Sequence, residues 1–487
     1  NESIILIMLL RPEFKLAPPI KVMINIGAGL DIPTGAYIKG QHGEHILNGG
    51  LGMLTGVVGI GNNFKSTVLN YMMLSAASKV MANTETSINT YDTEINIQEW
   101  HLKQLTERFP PFKKKDILSE GLWTVTDKTI YYANEWYEIL KKFLNEKKAN
   151  AAKILASTPF PSREKGKLLQ IPVPTFGSVD SFSEFETADV AEIQNKNELG
   201  DSGGNTIHMR QGLAKTRFLM EIPTLAGGSY HYMLMTAHIG KEMQIASGPY
   251  APPPPKTLQH LKHGDKLKGV TDKFTFLMSN CWQAFNAAPL INQGTKGPEY
   301  PKNTDDNISG DMDLNMVTLR QLRGKSGPTG IVLELIVSQT EGVLPELTEF
   351  HLIKSADRYG INGNVQHYAL DLYPDCKLSR TTIRGKIDSD PKLCRALNIT
   401  AEMCQMKMFW NDAENEDLIS PAQLYERLIR KGYDWDILLN TRGWWCLGND
   451  KYPIPFLSTK DLLGMARAEN AYHPWWYPVA QADLKPL

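Results

Sequence analysis

Gly59-Ile60-Gly61-Asn62-Asn63-Phe64-Lys65-Ser66-Thr67 follows an apolar run containing Met53, Leu54, Val57 and Val58, and it precedes a helical stretch from Val68 to Val80. The pattern predicts a strand, a glycine-containing loop and a helix that opens on Lys, Ser and Thr. A phosphate-cradling loop needs that order. Its backbone N–H groups turn inward, the helix N-terminus faces the anion, the lysine neutralises β- and γ-phosphate charge, and the hydroxyl holds Mg2+. Gly59, Gly61, Asn62, Asn63, Phe64, Lys65, Ser66 and Thr67 are therefore the candidate ATP-binding residues, and Ser66 is also a candidate Mg2+ ligand. The usual pattern carries Gly before the lysine; this chain carries Phe64.

The elements around this loop predict an α/β domain with a mostly parallel twisted sheet flanked by helices. Ile88–Tyr91 reads as a strand ending in Asp92-Thr93-Glu94, Leu122–Val125 as another, Val173–Val179 as one ending in Asp180-Ser181, and Tyr230–Thr236 as one ending in Ala237-His238. Helical periodicity falls at 95–108, 133–148 and 209–226. Residues 148–167 and 240–313 read as loops, the second a long insertion. Apolar runs at Leu314–Leu319, Gly330–Val337, Phe350–Ile353 and Val365–Leu372 read as strands closing the far edge. Past residue 375 the chain becomes Trp-rich and helical, with a capping box at Ser420-Pro421-Ala422-Gln423 and a stop at Gly432. The expected division is 1–50, an N-terminal segment suited to pairing with another subunit; 51–375, the core; and 376–487, a small mostly helical domain.

With 487 residues, 42% hydrophobic and 22% charged, the chain can bury a large core, and a net charge of −1 excludes a global basic field. Nucleic-acid binding must then rest on local patches. One consists of Lys256, Lys262, Lys266, Lys268 and Lys273, interleaved with His260 and His263. The five cysteines have no metal-ligand spacing, which predicts reduced thiols. The apolar run Ile4–Leu10 is too short to span a bilayer. Asp305–Asp313 fails as a calcium loop because Met316 stands at its twelfth position.

Strand ends supply the remaining candidates. Asp180 suits Mg2+ held through water, Glu94 suits a carboxylate that orients the attacking water, and His238 lies at the end of a later strand. Each has a plain alternative: a solvated strand-end acid, a satisfied loop histidine and, for the lysines, a solvated loop.

Taken in order, these residues resemble the RecA-like recombinases, and within them the T4-type bacteriophage group. That group has Phe before the Lys-Ser of its loop, a strand ending Tyr-Asp-Ser-Glu (here Tyr91-Asp92-Thr93-Glu94), a strand ending Asp-Ser (Asp180-Ser181) and a sensor strand ending in His (His238). It also has a Gly-Thr-x-Gly-Pro segment (Gly294 to Pro298) and a Lys-Ser at the end of a late strand (Lys354-Ser355). The resemblance spans about residues 17–375. It implies a RecA-like P-loop core and a DNA-dependent ATPase using ATP and Mg2+. Glu94 would be catalytic, His238 would sense the γ-phosphate, and Lys354 and Arg358 would reach the ATP of an adjacent subunit. The loops after Asp180-Ser181, with Arg210, and at 240–293 would contact single-stranded DNA.

The implied function is homologous pairing and strand exchange by a filament in phage recombination, repair or replication. Single-strand-binding and loader proteins are its expected partners, no membrane is involved, and the host cytoplasm is its site. The alternatives are a hexameric RecA-fold motor of the replicative-helicase kind and a RecA-fold nucleotide switch or scaffold. Departures from the family are the length of the second loop, the acidic first loop, and a C-terminal domain without a counterpart.

Overall fold

The structure, a computed structural model, describes residues 16–113, 115–196, 205–241, 258–271, 273–302, 313–364, 366–410, 417–448 and 452–485. Its centre is a ten-stranded mixed sheet. In chain order the strands are β1 (Leu54–Gly59), β2 (Ile88–Asp92), β3 (Trp123–Asp127), β4 (Thr175–Asp180), β5 (His231–Lys241), β6 (Asp265–Lys268), β7 (Asn280–Pro289), β8 (Leu314–Gly324), β9 (Val332–Ser338) and β10 (Gly342–Val343). They lie in the order β10-β9-β8-β7-β1-β5-β4-β2-β3, and β6 pairs with β5. The run from β7 to β3 is parallel. The β8–β10 edge and β6 are antiparallel.

Helices α1 (Lys65–Met81), α2 (Ala133–Ala149), α3 (Asn205–Ser229), α4 (Pro345–Ser355) and α5 (Pro391–Phe409) pack around the sheet. Parallel strands covered on both faces must be apolar along their length, and β1 and β4 are buried at every position. α1 buries Val68, Leu69, Met72, Met73, Ala76 and Ala77, so both the sheet and the layer outside it draw on this helix. Among the described residues, no helix is long and apolar enough to cross a membrane.

Several sequence expectations are corrected. Phe350–Ile353 belongs to α4, which has Pro345 at its first helical position and packs on β9 and α5, so Lys354-Ser355 ends a helix rather than a strand. The described part of the run expected at 365–372 falls in a separate three-stranded sheet (Ile361–Asn364, His367–Leu370, Tyr373–Leu378) and does not extend the main one. The described part of 240–313 is not simply a loop. It holds β6, a short helix Lys273–Leu277, and β7, which runs parallel to β1 at the sheet centre with Trp282 and Cys281 buried. The polar residues Gln283 and Asn286 mask that strand in the sequence. A hairpin of Leu155–Pro161 and Leu168–Pro172 occupies part of the stretch expected as loop.

Residues 376–487 are mostly helical where described, and the capping box forms: Ser420 Oγ accepts from Gln423 N at 3.2 Å and Gln423 Oε1 from Ser420 N at 3.1 Å. Gly432 ends that helix at φ +92°. This region shares one apolar core with Ile32, Leu47, Ile336 and Phe350, so residue 375 does not separate two cores. The pairing element expected at Ile4–Leu10 lies outside the described residues.

A buried lysine gives a pH test of this packing. Lys147 of α2 is 8% exposed, and its Nζ donates to Thr175 Oγ1 (2.8 Å) at the start of β4. Thr175 Oγ1 also bonds His231 Nδ1 (3.0 Å), whose ring burial holds neutral by pushing its pKa down to about 3. Burial alone lowers the Lys147 ammonium to about 7. Below that pH the fold must carry a desolvated charge. Above it the folded chain has released a proton that the unfolded chain keeps until about pH 10.4, so stability rises with pH. The expected gain between pH 6 and pH 9 is ~2 kcal/mol. Urea unfolding at the two pH values checks this, and Lys147→Met should flatten the difference.

Candidate active site

The loop after β1 wraps the start of α1. Asn62 and Phe64 both have left-handed backbones, at φ 60° and 55°. A Cβ-bearing residue is strained there, which explains why glycine suits the position before the lysine. Phe64 offsets the strain by packing its half-buried ring against the main core. Asn63 Nδ2 donates to Ala284 O at 3.0 Å, tying the loop to β7. A Cβ at Gly59 would fall 2.5 Å from the same carbonyl, so that glycine is required by close approach. A Cβ at Gly61 would meet no protein atom, so packing within the chain does not explain that glycine.

Lys65 is 8% exposed, and its Nζ donates to Ile60 O at 2.8 Å across the loop. Burial lowers its pKa, while Asp180 and Glu94 nearby act in the opposite sense. Asp180 ends β4, two strands from β1. Burial raises its pKa, and the nearby Ser66 and Thr236 hydroxyls oppose the rise; Thr236 Oγ1 donates to Asp180 Oδ1 at 2.5 Å. Thr67 begins the second position after the lysine and is partly exposed.

Glu94 lies just past β2. Its Oε1 is 3.2 Å from His238 Nε2, and Asn96 Nδ2 donates to its Oε2 at 3.1 Å. The parallel register aligns the two strand ends: Asp92 pairs with Asp180, and Thr93 exchanges hydrogen bonds with Ser181 through its Oγ1 (2.8 and 2.7 Å). His238 pairs with Gly59 across β5 and β1. Lys65, Ser66, Asp180 and Glu94 thus stand together at the carboxyl ends of parallel strands, where open α/β sheets bind ligands, with His238 level with them on β5, which continues to Lys241. A cavity of about 250 Å³ beside them is lined by Ser66, Asp180, Trp100 and His101, with Trp100 63% exposed. A cleft of about 380 Å³ between α1 and the C-terminal region, lined by Asp31, Lys79, Glu349 and Arg395, touches none of the loop.

Lys354 and Arg358 stand apart from this group. Lys354 Nζ bonds Glu299 Oε1 at 2.7 Å, and Arg358 bonds Gly363 O and lies over the Tyr368 ring at 5.5 Å. Among the candidate DNA contacts, Arg210 on α3, Lys262, Lys266 and Lys268 near or on β6, and Lys273 are all exposed. Lys256 lies outside the described residues.

Sequence reasoning missed two residues that build the site: Asp92 and Thr236. Asp92 was legible only as a strand end. It is 3% exposed, and its carboxylate accepts the backbone N–H groups of Glu94 (2.9 Å), Ile95 (3.0 Å), Asn96 (2.8 Å) and Ile97 (2.9 Å). Asp92→Ala is expected to lower stability by about 1–3 kcal/mol, because those buried donors lose a charged acceptor. Chemical denaturation measures it, and an unchanged midpoint would show that the turn holds itself.

No protein-family model matches this chain, and no curated protein matches it.

Proposed function

We propose that the chain is a DNA-dependent ATPase of the RecA-like recombinase type. The observation that carries this reading is the convergence of Glu94, Asp180 and His238 on the Lys65-Ser66 loop, from three different strands. Lys65 neutralises charge on the β- and γ-phosphates, and the backbone of Gly59–Thr67 cradles them. Glu94 orients the attacking water, and in the resting state His238 holds that carboxylate through its ring nitrogen. The exposed face of Trp100, beside Ser66 in the same cavity, suits stacking on a base.

The donor set fits Mg2+. Ser66 and Asp180 offer hard oxygen ligands that line one cavity, and Mg2+ binds through one or two such groups plus phosphates rather than in an all-protein cage. When bound it would neutralise charge developing on the phosphates. Among the described residues no cluster of three His, Cys, Asp or Glu side chains forms a separate metal site.

Lys262, Lys266, Lys268, Lys273 and Arg210 supply a cationic surface for single-stranded DNA, with affinity falling as salt rises. Lys354 and Arg358, remote from the loop in one protomer, act on ATP only across a subunit contact in a filament. The test is ATP hydrolysis with and without single-stranded DNA, combined with negative-stain images of the same mixtures. DNA-stimulated turnover with helical filaments supports the recombinase reading. Rings with strand displacement support a hexameric motor instead, and nucleotide binding without turnover supports a switch or scaffold.

A further inference from the structure

The lysine-bearing strand and the Glu94–His238 pair meet at one serine. β6 runs antiparallel along the protruding half of β5, with Lys268 opposite His238 and Lys266 opposite Gly240. Ser183, in the short turn after Asp180-Ser181, bridges the two strands. Its Oγ accepts from His238 N at 2.8 Å and donates to Lys268 O at 2.8 Å. Lys215 reaches in from α3, and its Nζ donates to Ser183 O at 2.5 Å and to Gly269 O at 2.7 Å. Gly269 has φ +64°, and a Cβ there would fall 2.6 Å from Ser183 O. The strand end therefore rests directly on the serine.

Lys215 is 3% exposed, and among the described residues no carboxylate lies at ion-pair distance from it. Burying such a group is costly, and its two carbonyl hydrogen bonds offset only part of that cost. Here its two carbonyl partners belong to two different segments, the turn after β4 and the end of β6.

We propose that Ser183, clamped by Lys215, is the positioning residue through which a polynucleotide on the β6 lysines sets the Glu94–His238 pair and hence the rate of ATP hydrolysis. This rests on the ATPase reading above. Phosphodiesters held by Lys266 and Lys268 pull on β6. The Lys268 carbonyl and the His238 amide share one hydroxyl, so displacement of β6 passes to His238. The 3.2 Å contact between His238 Nε2 and Glu94 Oε1 then loosens and leaves Glu94 free for water.

The experiment measures kcat and KM for ATP with and without a thymidine oligonucleotide, for wild type, Ser183→Ala, Ser183→Thr and Lys215→Met. Oligonucleotide affinity is read separately by fluorescence anisotropy, and folding by thermal unfolding. Ser183→Ala and Lys215→Met are expected to keep basal kcat, KM and oligonucleotide affinity within about twofold of wild type while losing most of the stimulation. Ser183→Thr, which keeps the hydroxyl, should retain it.

Full stimulation in both Ser183→Ala and Lys215→Met overturns the relay and leaves the ATPase reading standing. So does a parallel fall of basal and stimulated rates, which marks a merely structural role. Wild-type turnover indifferent to the oligonucleotide overturns the relay together with the DNA part of the reading. Absence of wild-type turnover overturns the ATPase reading and the relay with it. Should Lys215→Met fail to fold, the Ser183 pair alone decides.

Discussion

ATP turnover by a Lys65→Ala variant is expected to fall about 10²–10³-fold, as it does when a single preorganised donor to developing charge is removed. The thermal midpoint should stay level or rise. Both halves follow from the same environment. The ammonium is nearly buried, its only direct bond among the described residues is to Ile60 O, and desolvation lowers its pKa. In the absence of nucleotide the charge is held at a cost, with Asp180 and Glu94 as distant compensation. Removing it relieves that cost but leaves phosphate charge unneutralised, the usual opposition between stability and activity at a site. Steady-state hydrolysis beside differential scanning calorimetry checks the pair of expectations. A large drop in midpoint would mean that Lys65 is a structural strut of the loop. Wild-type turnover would remove the loop from the mechanism.

Glu94→Gln is expected to bind ATP as wild type does and to lose about 10²–10⁴-fold in kcat, the range for a positioned acid–base group. The amide keeps the shape of the side chain and can still bond His238 Nε2 and Asn96 Nδ2, now 3.2 and 3.1 Å from the carboxylate oxygens. The four N–H bonds to Asp92 that shape the turn do not involve the Glu94 side chain. The loss should therefore appear in kcat, with nucleotide affinity by calorimetry nearly unchanged. Turnover that survives Glu94→Gln would assign the water to another group, and the switch or scaffold reading would gain.

The Asp92–Asp180 register explains how these groups come together. Glu94 and Asp180 are 86 residues apart in the chain, yet Thr93 and Ser181 exchange hydrogen bonds because β2 and β4 are neighbours. His238 joins them because β5 lies between β4 and β1. Lys215 shows the opposite outcome. Nothing around it in the sequence marks it as buried, yet its ammonium rests on two carbonyls.

The local chain alone determined the strand–loop–helix at 54–81, the alternation that makes an α/β sheet, the strand ends at Glu94 and Asp180, and the cap at Ser420. Each depends on contacts within a few residues, on periodicity, or on the side-chain chemistry of a single turn. The strand expected to end at His238 instead runs on to Lys241, because β6 pairs with its far half. Only the tertiary structure decided what depends on distant partners. β7, with polar residues on a strand that reads as loop, is held at the sheet centre by β1 and β8. Phe350–Ile353 is helical because α4 packs on β9 and α5. Ser183 acquires its place from the meeting of β5, β6 and α3. Hydrogen bonds and packing across such separations leave no periodic mark in the sequence, because the residues that satisfy them are close only after the chain has folded.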